Sequence, residues 1–208
     1  MNVQQSYDSW SAQYDTNQNK TRDLEALSLR TTLRDIPFDS CLEIGCGTGK
    51  NTEWLVTKAG HITAVDLSEG MLAIARGKVI SDRVAFRQAD ITQPWVFADR
   101  QYDLISFSLV LEHIENLDHI FSEACKVIAP GGHLYIGELH PFKQYTGTKA
   151  RFDTEEGQHV VTCFNHHVSD FIQTAQACGF ELVLLNELFD NHDRTGIPRI
   201  LTLLLKRG

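Results

Sequence analysis

Residues 43–49 read Glu43-Ile44-Gly45-Cys46-Gly47-Thr48-Gly49, with Lys50 and Asn51 next in the chain. Alternate glycines after a β-rich run describe a turn in which backbone passes close to a ligand and no side chain intrudes. A dinucleotide fingerprint, G-x-G-x-x-G, needs its third glycine where Lys50 stands; the extra glycine comes one residue early, at Gly49. A P-loop needs Gly-Lys-Ser/Thr, and here Lys50 is followed by Asn51. Glu43 lies at the end of the strand, where it would repel a pyrophosphate and attract an ammonium group. Asp66 follows Gly45 by 21 residues, at the end of a second strand in Ala-Val-Asp-Leu-Ser, and suits the two hydroxyls of a ribose. The ligand indicated has a ribose and a positive group, and no phosphate.

Outward from this turn, short β-rich runs alternate with helix-period runs, the pattern of an α/β fold built on a parallel sheet. Strands are expected at Cys41–Ile44, Ile62–Val65, Val84–Arg87, Tyr102–Phe107, Leu134–Glu138, Glu181–Leu185 and Ile200–Leu205. Helices fit at Lys50–Lys58, at Glu69–Val79 capped by Ser68, at Leu117–Val127 capped by Asn116, and at Asp170–Cys178 capped by Ser169. An earlier helix is expected around Leu24, Leu27 and Leu33, closed near Pro37. No helix separates the last two strands, so the expected architecture is a Rossmann-like, seven-stranded, mostly parallel sheet with helices on both faces and the last strand antiparallel.

With 208 residues the chain makes one domain. Apolar residues at 42% and charged residues at 22% exclude wholesale disorder, collagen and coiled coil. Nineteen basic against 27 acidic residues give a net charge of −8, the wrong sign for gripping nucleic acid. No signal-peptide pattern opens the sequence and no apolar run approaches a membrane span, so a cytoplasmic protein with no membrane partner is expected. The five cysteines include no C-x-x-C pair and read as free thiols, and Cys163, His166 and His167 lack a further well-spaced ligand, so no metal is expected.

The chain resembles the class I S-adenosylmethionine-dependent methyltransferases, in particular the small Methyltransf_11-like proteins. The resemblance rests on LEIGCGTG at 42–49, AVDLSEGML at 64–72, ADI at 89–91, SLVLEHI at 108–114 and APGG at 129–132. It implies S-adenosyl-L-methionine as cofactor, with Glu43, Gly45 and Gly47 around its methionine part, Asp66 on its ribose, and Cys46 and Ser108 also among the cofactor-binding residues. Leu67 and Met71 would flank the adenine, and Asp90 and the Ile91 backbone would meet its amine. It also implies that residues 1–38, with Tyr7, Trp10 and Tyr14, form a helical lid over the cofactor, Tyr14 touching it. The remaining divisions are a cofactor-binding core at 39–139, a variable substrate segment at 140–167 and a final helix and strand pair at 168–208.

The activity implied is methyl transfer by in-line displacement to an oxygen, nitrogen or carbon atom of a small molecule, by a monomer or homodimer. Two alternatives are a protein or carrier-protein acceptor and a non-catalytic cofactor-binding subunit. His113 and His140 follow adjacent ligand-facing strand ends and carry the only side chain that titrates near neutrality unperturbed, which makes His113 the candidate base and His140 its reserve. Lys143, Lys149 and Arg151 bring positive charge to the variable segment of an acidic chain, pointing to an acceptor with a carboxylate or phosphate.

Overall fold

The structure is a computed structural model that describes residues 2–16, 18–154 and 157–208. Of the segments delimited above, Met1 and Asn17 of the lid and residues 155–156 of the variable segment lie outside the described residues.

Helices α1 (Val3–Tyr14) and α2 (Lys20–Leu33) precede β1 (Ser40–Ile44), α3 (Thr52–Leu55), β2 (His61–Asp66), α4 (Glu69–Lys78) and β3 (Val84–Gln88). There follow β4 (Tyr102–Ser108), α5 (Leu117–Val127), β5 (Ile128–Leu139), α6 (Pro141–Tyr145), a hairpin of β6 (Arg151–Thr154) and β7 (Gly157–Val160), then α7 (Val168–Ala177), β8 (Phe180–Leu188) and β9 (Ile200–Arg207). The main sheet has seven strands in the order β3-β2-β1-β4-β5-β9-β8. Strands β1 to β5 are parallel, and β9 runs antiparallel between β5 and β8. Chain order reverses between β1 and β4, so the crevice at their carboxyl ends is where such a sheet takes a ligand.

Alternating strand residues feed two apolar layers. Leu42, Ile44, Ile105 and Phe107 pack with Phe121 and Ala124 of α5 and Phe171 of α7. On the opposite face Cys41, Ile62 and Leu104 meet Leu29 and Leu33 of α2, Leu55 of α3 and Leu72 of α4. Among the described residues, no helix is long and apolar enough to cross a membrane.

Two expectations are corrected, and one is refined. The segment after the glycine turn holds one α-turn, because its backbone bonds alternate between i−4 (Leu55 to Asn51) and i−3 (Thr57 to Trp54). Helix α7 starts before Ser169, with the His167 N–H donating to Asp170 Oδ2 at 2.8 Å. In α2 the buried face is Glu25, Ala26, Ser28, Leu29 and Leu33, while Leu27 is 48% exposed. Polar groups decide that face: Tyr135 Oη donates to Glu25 at 3.1 Å and Ser28 meets Thr202 at 2.5 Å. The β6–β7 hairpin escapes a reading by apolar alternation, since Arg-Phe-Asp-Thr and Gly-Gln-His-Val carry little of it.

The rotation of α2 is testable by urea denaturation. Leu29→Ala, at a fully buried position, is expected to cost about 2–5 kcal/mol, and Leu27→Ala less than about 0.5 kcal/mol. Equal losses would mean that α2 packs by another face.

Candidate functional site

The turn after β1 is fixed by its own backbone. Gly45 and Cys46 donate to the Val65 carbonyl at 2.8 and 3.0 Å, which ties the end of β1 to the end of β2. Gly45, Gly47 and Gly49 have φ of +72°, +53° and +81°, where a side chain is strained. A Cβ on Gly45 would also lie 2.8 Å from that of Val110, whereas one on Gly47 would meet nothing within 4 Å, because Gly47 faces a cavity.

That cavity, about 380 Å3, opens at the carboxyl ends of β1, β2 and β4 under α1. It brings together Tyr14, Gly45, Gly47, Asp66, Leu67, Met71, Asp90, Ile91, Ser108 and His113, all anticipated from the sequence. Asp66 accepts from Gly47 N through Oδ2 at 2.8 Å and from Ser68 N through Oδ1 at 2.9 Å, so its carboxylate is oriented before any ligand arrives. Burial pushes its carboxyl up, against those N–H groups. Asp90 closes an Asx turn on Thr92, whose N–H and hydroxyl reach Oδ1 at 2.9 and 2.7 Å, while lining the cavity as well.

Three anticipated residues lie elsewhere. Glu43 is buried beneath the turn, taking a 2.6 Å hydrogen bond from Thr52, and does not line the cavity. Cys46 turns into the core beside Leu55 and Leu72. His140 caps α6: its Nδ1 accepts from Phe142 N at 3.1 Å and its Nε2 lies 3.0 Å from Glu187 Oε1, so both ring nitrogens are committed away from the cavity.

His113 is differently held. Its Nδ1 lies 2.8 Å from the Thr162 carbonyl, which can only accept, so the proton sits on Nδ1. Nε2 is thereby left as the acceptor for the Tyr7 hydroxyl at 2.7 Å. Tyr7 comes from α1, which is fastened to the core at two further points. Asp8 Oδ1 accepts from Ser68 Oγ at 2.5 Å and Gly70 N at 3.1 Å, at the amino end of α4 where a negative charge is favoured. Asp15 joins Thr48 at 2.7 Å and Lys78 at 2.6 Å.

Beneath the cavity lie acids that were not singled out beforehand. Glu25 accepts from Asn51 at 2.9 Å, and Glu138 from Val110 N and Leu111 N at 3.0 and 2.9 Å. Burial, with neighbouring carboxylates adding to it, pushes Glu43 and Glu138 up to about 8. A signal existed for Glu138: an acid ending the apolar run Leu134–Gly137 is costly to bury and therefore noteworthy. A second cavity of about 260 Å3 shares Tyr7, Tyr14 and Leu109 with the first and is also lined by Glu112, Arg22, Lys149 and Arg151. Lys143 lines neither cavity. Among the described residues no group of three or more His, Cys, Asp or Glu could hold a metal ion.

The raised carboxyls set a pH dependence. Glu43 and Glu138 bind protons more tightly folded, near 8, than unfolded, near about 4.3. Their contribution to stability is therefore largest at the acid end of that window and is lost as pH rises through it. The ligand-free protein is expected to withstand more urea at pH 5.5 than at pH 8, and Glu138→Gln, which keeps the acceptor for Val110 and Leu111, to flatten the difference. An unchanged difference would place Glu138 outside this effect.

Residues 42–136 match the Methyltransf_11 methyltransferase-domain model. The chain is 29% identical to the uncharacterized methyltransferase AN0656 of Emericella nidulans, over 98% of this chain and 84% of that one. It is 41% identical to the malonyl-[acyl-carrier protein] O-methyltransferase of Priestia megaterium, but over only 45% of this chain and 34% of that one. Its fold superposes on the N-methyltransferase NodS from Bradyrhizobium japonicum WM9, solved with S-adenosyl-L-homocysteine, with a TM-score of 0.73 and 20% identity, covering 100% and 99% of the two chains. The glycine turn and the oriented acid after it lie within the residues that match the methyltransferase-domain model, and the comparisons support a class I S-adenosylmethionine-dependent methyltransferase.

Proposed function

We propose that the enzyme methylates a small-molecule nucleophile, with the cofactor in the first cavity and the acceptor in the second, both closed by α1 acting as a lid. The observation that carries this reading is that Tyr7, Tyr14 and Leu109 line two adjoining clefts, of about 380 and 260 Å3. The second space suits a small molecule better than a protein surface.

The residues present fit the cofactor. Asp66, already oriented by two N–H groups, keeps lone pairs for both ribose hydroxyls. Leu67, Met71 and Ile91 offer apolar contact to the adenine, and Asp90 can accept from its amine through the oxygen not used in the Asx turn. The open side of Gly47, together with Gly45 and Ser108, leaves room for the methionine part. When bound, S-adenosylmethionine supplies a methyl group on a positively charged sulfur that departs as a neutral thioether. The protein's part is alignment and exclusion of water, effects that can be worth about 7–11 kcal/mol in favourable cases.

Where the acceptor holds a proton, Tyr7 and His113 remove it as a pair. The Tyr7 oxygen takes the acceptor's proton as its own passes to His113 Nε2, leaving the imidazole charged, with Nδ1–H still on Thr162. Burial holds the Tyr7 hydroxyl well above its ordinary pKa, so the two transfers are concerted and no free tyrosinate builds up.

Calorimetry is expected to show binding of S-adenosylmethionine and S-adenosylhomocysteine and none of NAD, with Asp66→Ala weaker by about 1–3 kcal/mol. Unchanged affinity in that variant would remove Asp66 from the ribose, and tight NAD binding would overturn the reading. With an acceptor in hand, His113→Ala is expected to slow turnover about 100- to 10,000-fold with cofactor affinity retained. Full turnover would make His113 structural.

A further inference from the structure

Glu112 is the unusual wall of the second cavity. Its side chain is 7% exposed, its Oε1 lies 3.9 Å from His113 Nε2, and Cys163 and Gln144 are its polar neighbours, while its buried Oε2 meets no partner in hydrogen-bond geometry. A buried carboxylate oxygen left this way is costly, and a ligand group that donates to it removes the cost. The same cavity is lined by Arg22, held 4.0 Å from the centre of the Tyr14 ring, and by the exposed Lys149 and Arg151. Among the described residues no carboxylate lies within ion-pair distance of Lys149 or Arg151. In a chain of net charge −8, one small space is lined by three basic residues and by this buried acid.

The wall toward the first cavity is strained. Leu109 has φ +55°, a left-handed conformation rare for a side chain of its kind, and is held there by its N–H on the Gly137 carbonyl at 2.8 Å. It stands beside Tyr7 and Tyr14 in the one partition that a transferred methyl group has to cross.

We propose that the second cavity binds a small amphoteric acceptor, its carboxylate or phosphate facing Lys149 and Arg151 and its nucleophilic amine donating one N–H to Glu112 and another to Tyr7. This rests on the reading of the first cavity as the cofactor site. In the transfer the acceptor's nitrogen forms the bond to the methyl carbon, and the carbon–sulfur pair goes to sulfur. The acceptor's proton goes through Tyr7 to His113. Glu112 binds and orients the reacting group, and its negative charge near His113 favours the imidazolium formed.

The test has two stages. Titration with S-adenosylhomocysteine comes first, and failure to bind it would overturn the cofactor reading itself. The saturated protein is then titrated with a series of small amino acids, each paired with its primary amide. At least one acid is expected to bind about tenfold or more tightly than its amide. Glu112→Gln is expected to weaken that acid by about tenfold or more, and so is a Lys149→Ala, Arg151→Ala double variant at exposed positions, both with S-adenosylhomocysteine affinity retained. If S-adenosylhomocysteine binds but no acid in the series does, if acids and amides bind alike, or if both variants bind the acid normally, the proposal is overturned.

Discussion

The carboxylate of Asp66 is the constraint on which the site depends. It ends β2, accepts from Gly47 in the turn after β1, and accepts from Ser68 at the start of α4. Three elements are thereby locked around one group that still faces the cavity. The glycines follow from the same constraint: a turn drawn this close to β2 has three positive φ angles that strain a side chain, and Val110 leaves no room for one at Gly45.

Charge is the second organising quantity. Glu25, Glu43, Asp66 and Glu138 are buried near one another, and burial raises each carboxyl. Such a cluster costs stability in the empty protein and lowers the cost of taking in a cation, the trade expected at a functional site. The same acidity explains how α1 is held. Its carboxylates seek the amino end of α4, Thr48 and Lys78, on the outer side of the turn, and its aromatic residues face inward. The position of α1 in the structure presents Tyr7 to His113.

The sheet and most of the cavity wall were legible because they rest on local rules. Alternating apolar runs announce strands, and Ser68 and Asn116 cap α4 and α5 as their residue types predict. What escaped rests on partners distant in sequence. The buried face of α2 is set by Tyr135 and Thr202, more than a hundred residues away, and so turns Leu27 outward. His140 stands at a ligand-facing strand end, yet Glu187 and the start of α6 take both its nitrogens. Lys149 and Arg151 were legible as charge, but the acid that lines the same cavity, Glu112, sits in an apolar stretch whose pattern says only that it is buried.

The central claim is that two cavities meet at a wall of Tyr7, Tyr14 and Leu109, with the reacting sulfur on one side of it. A crystal structure of the complex with S-adenosylhomocysteine tests this most directly. The account predicts ribose hydroxyls on Asp66, the homocysteine sulfur against that wall, and Tyr7 still on His113. A ligand whose sulfur points away from the wall, or that leaves Asp66 untouched, would contradict it.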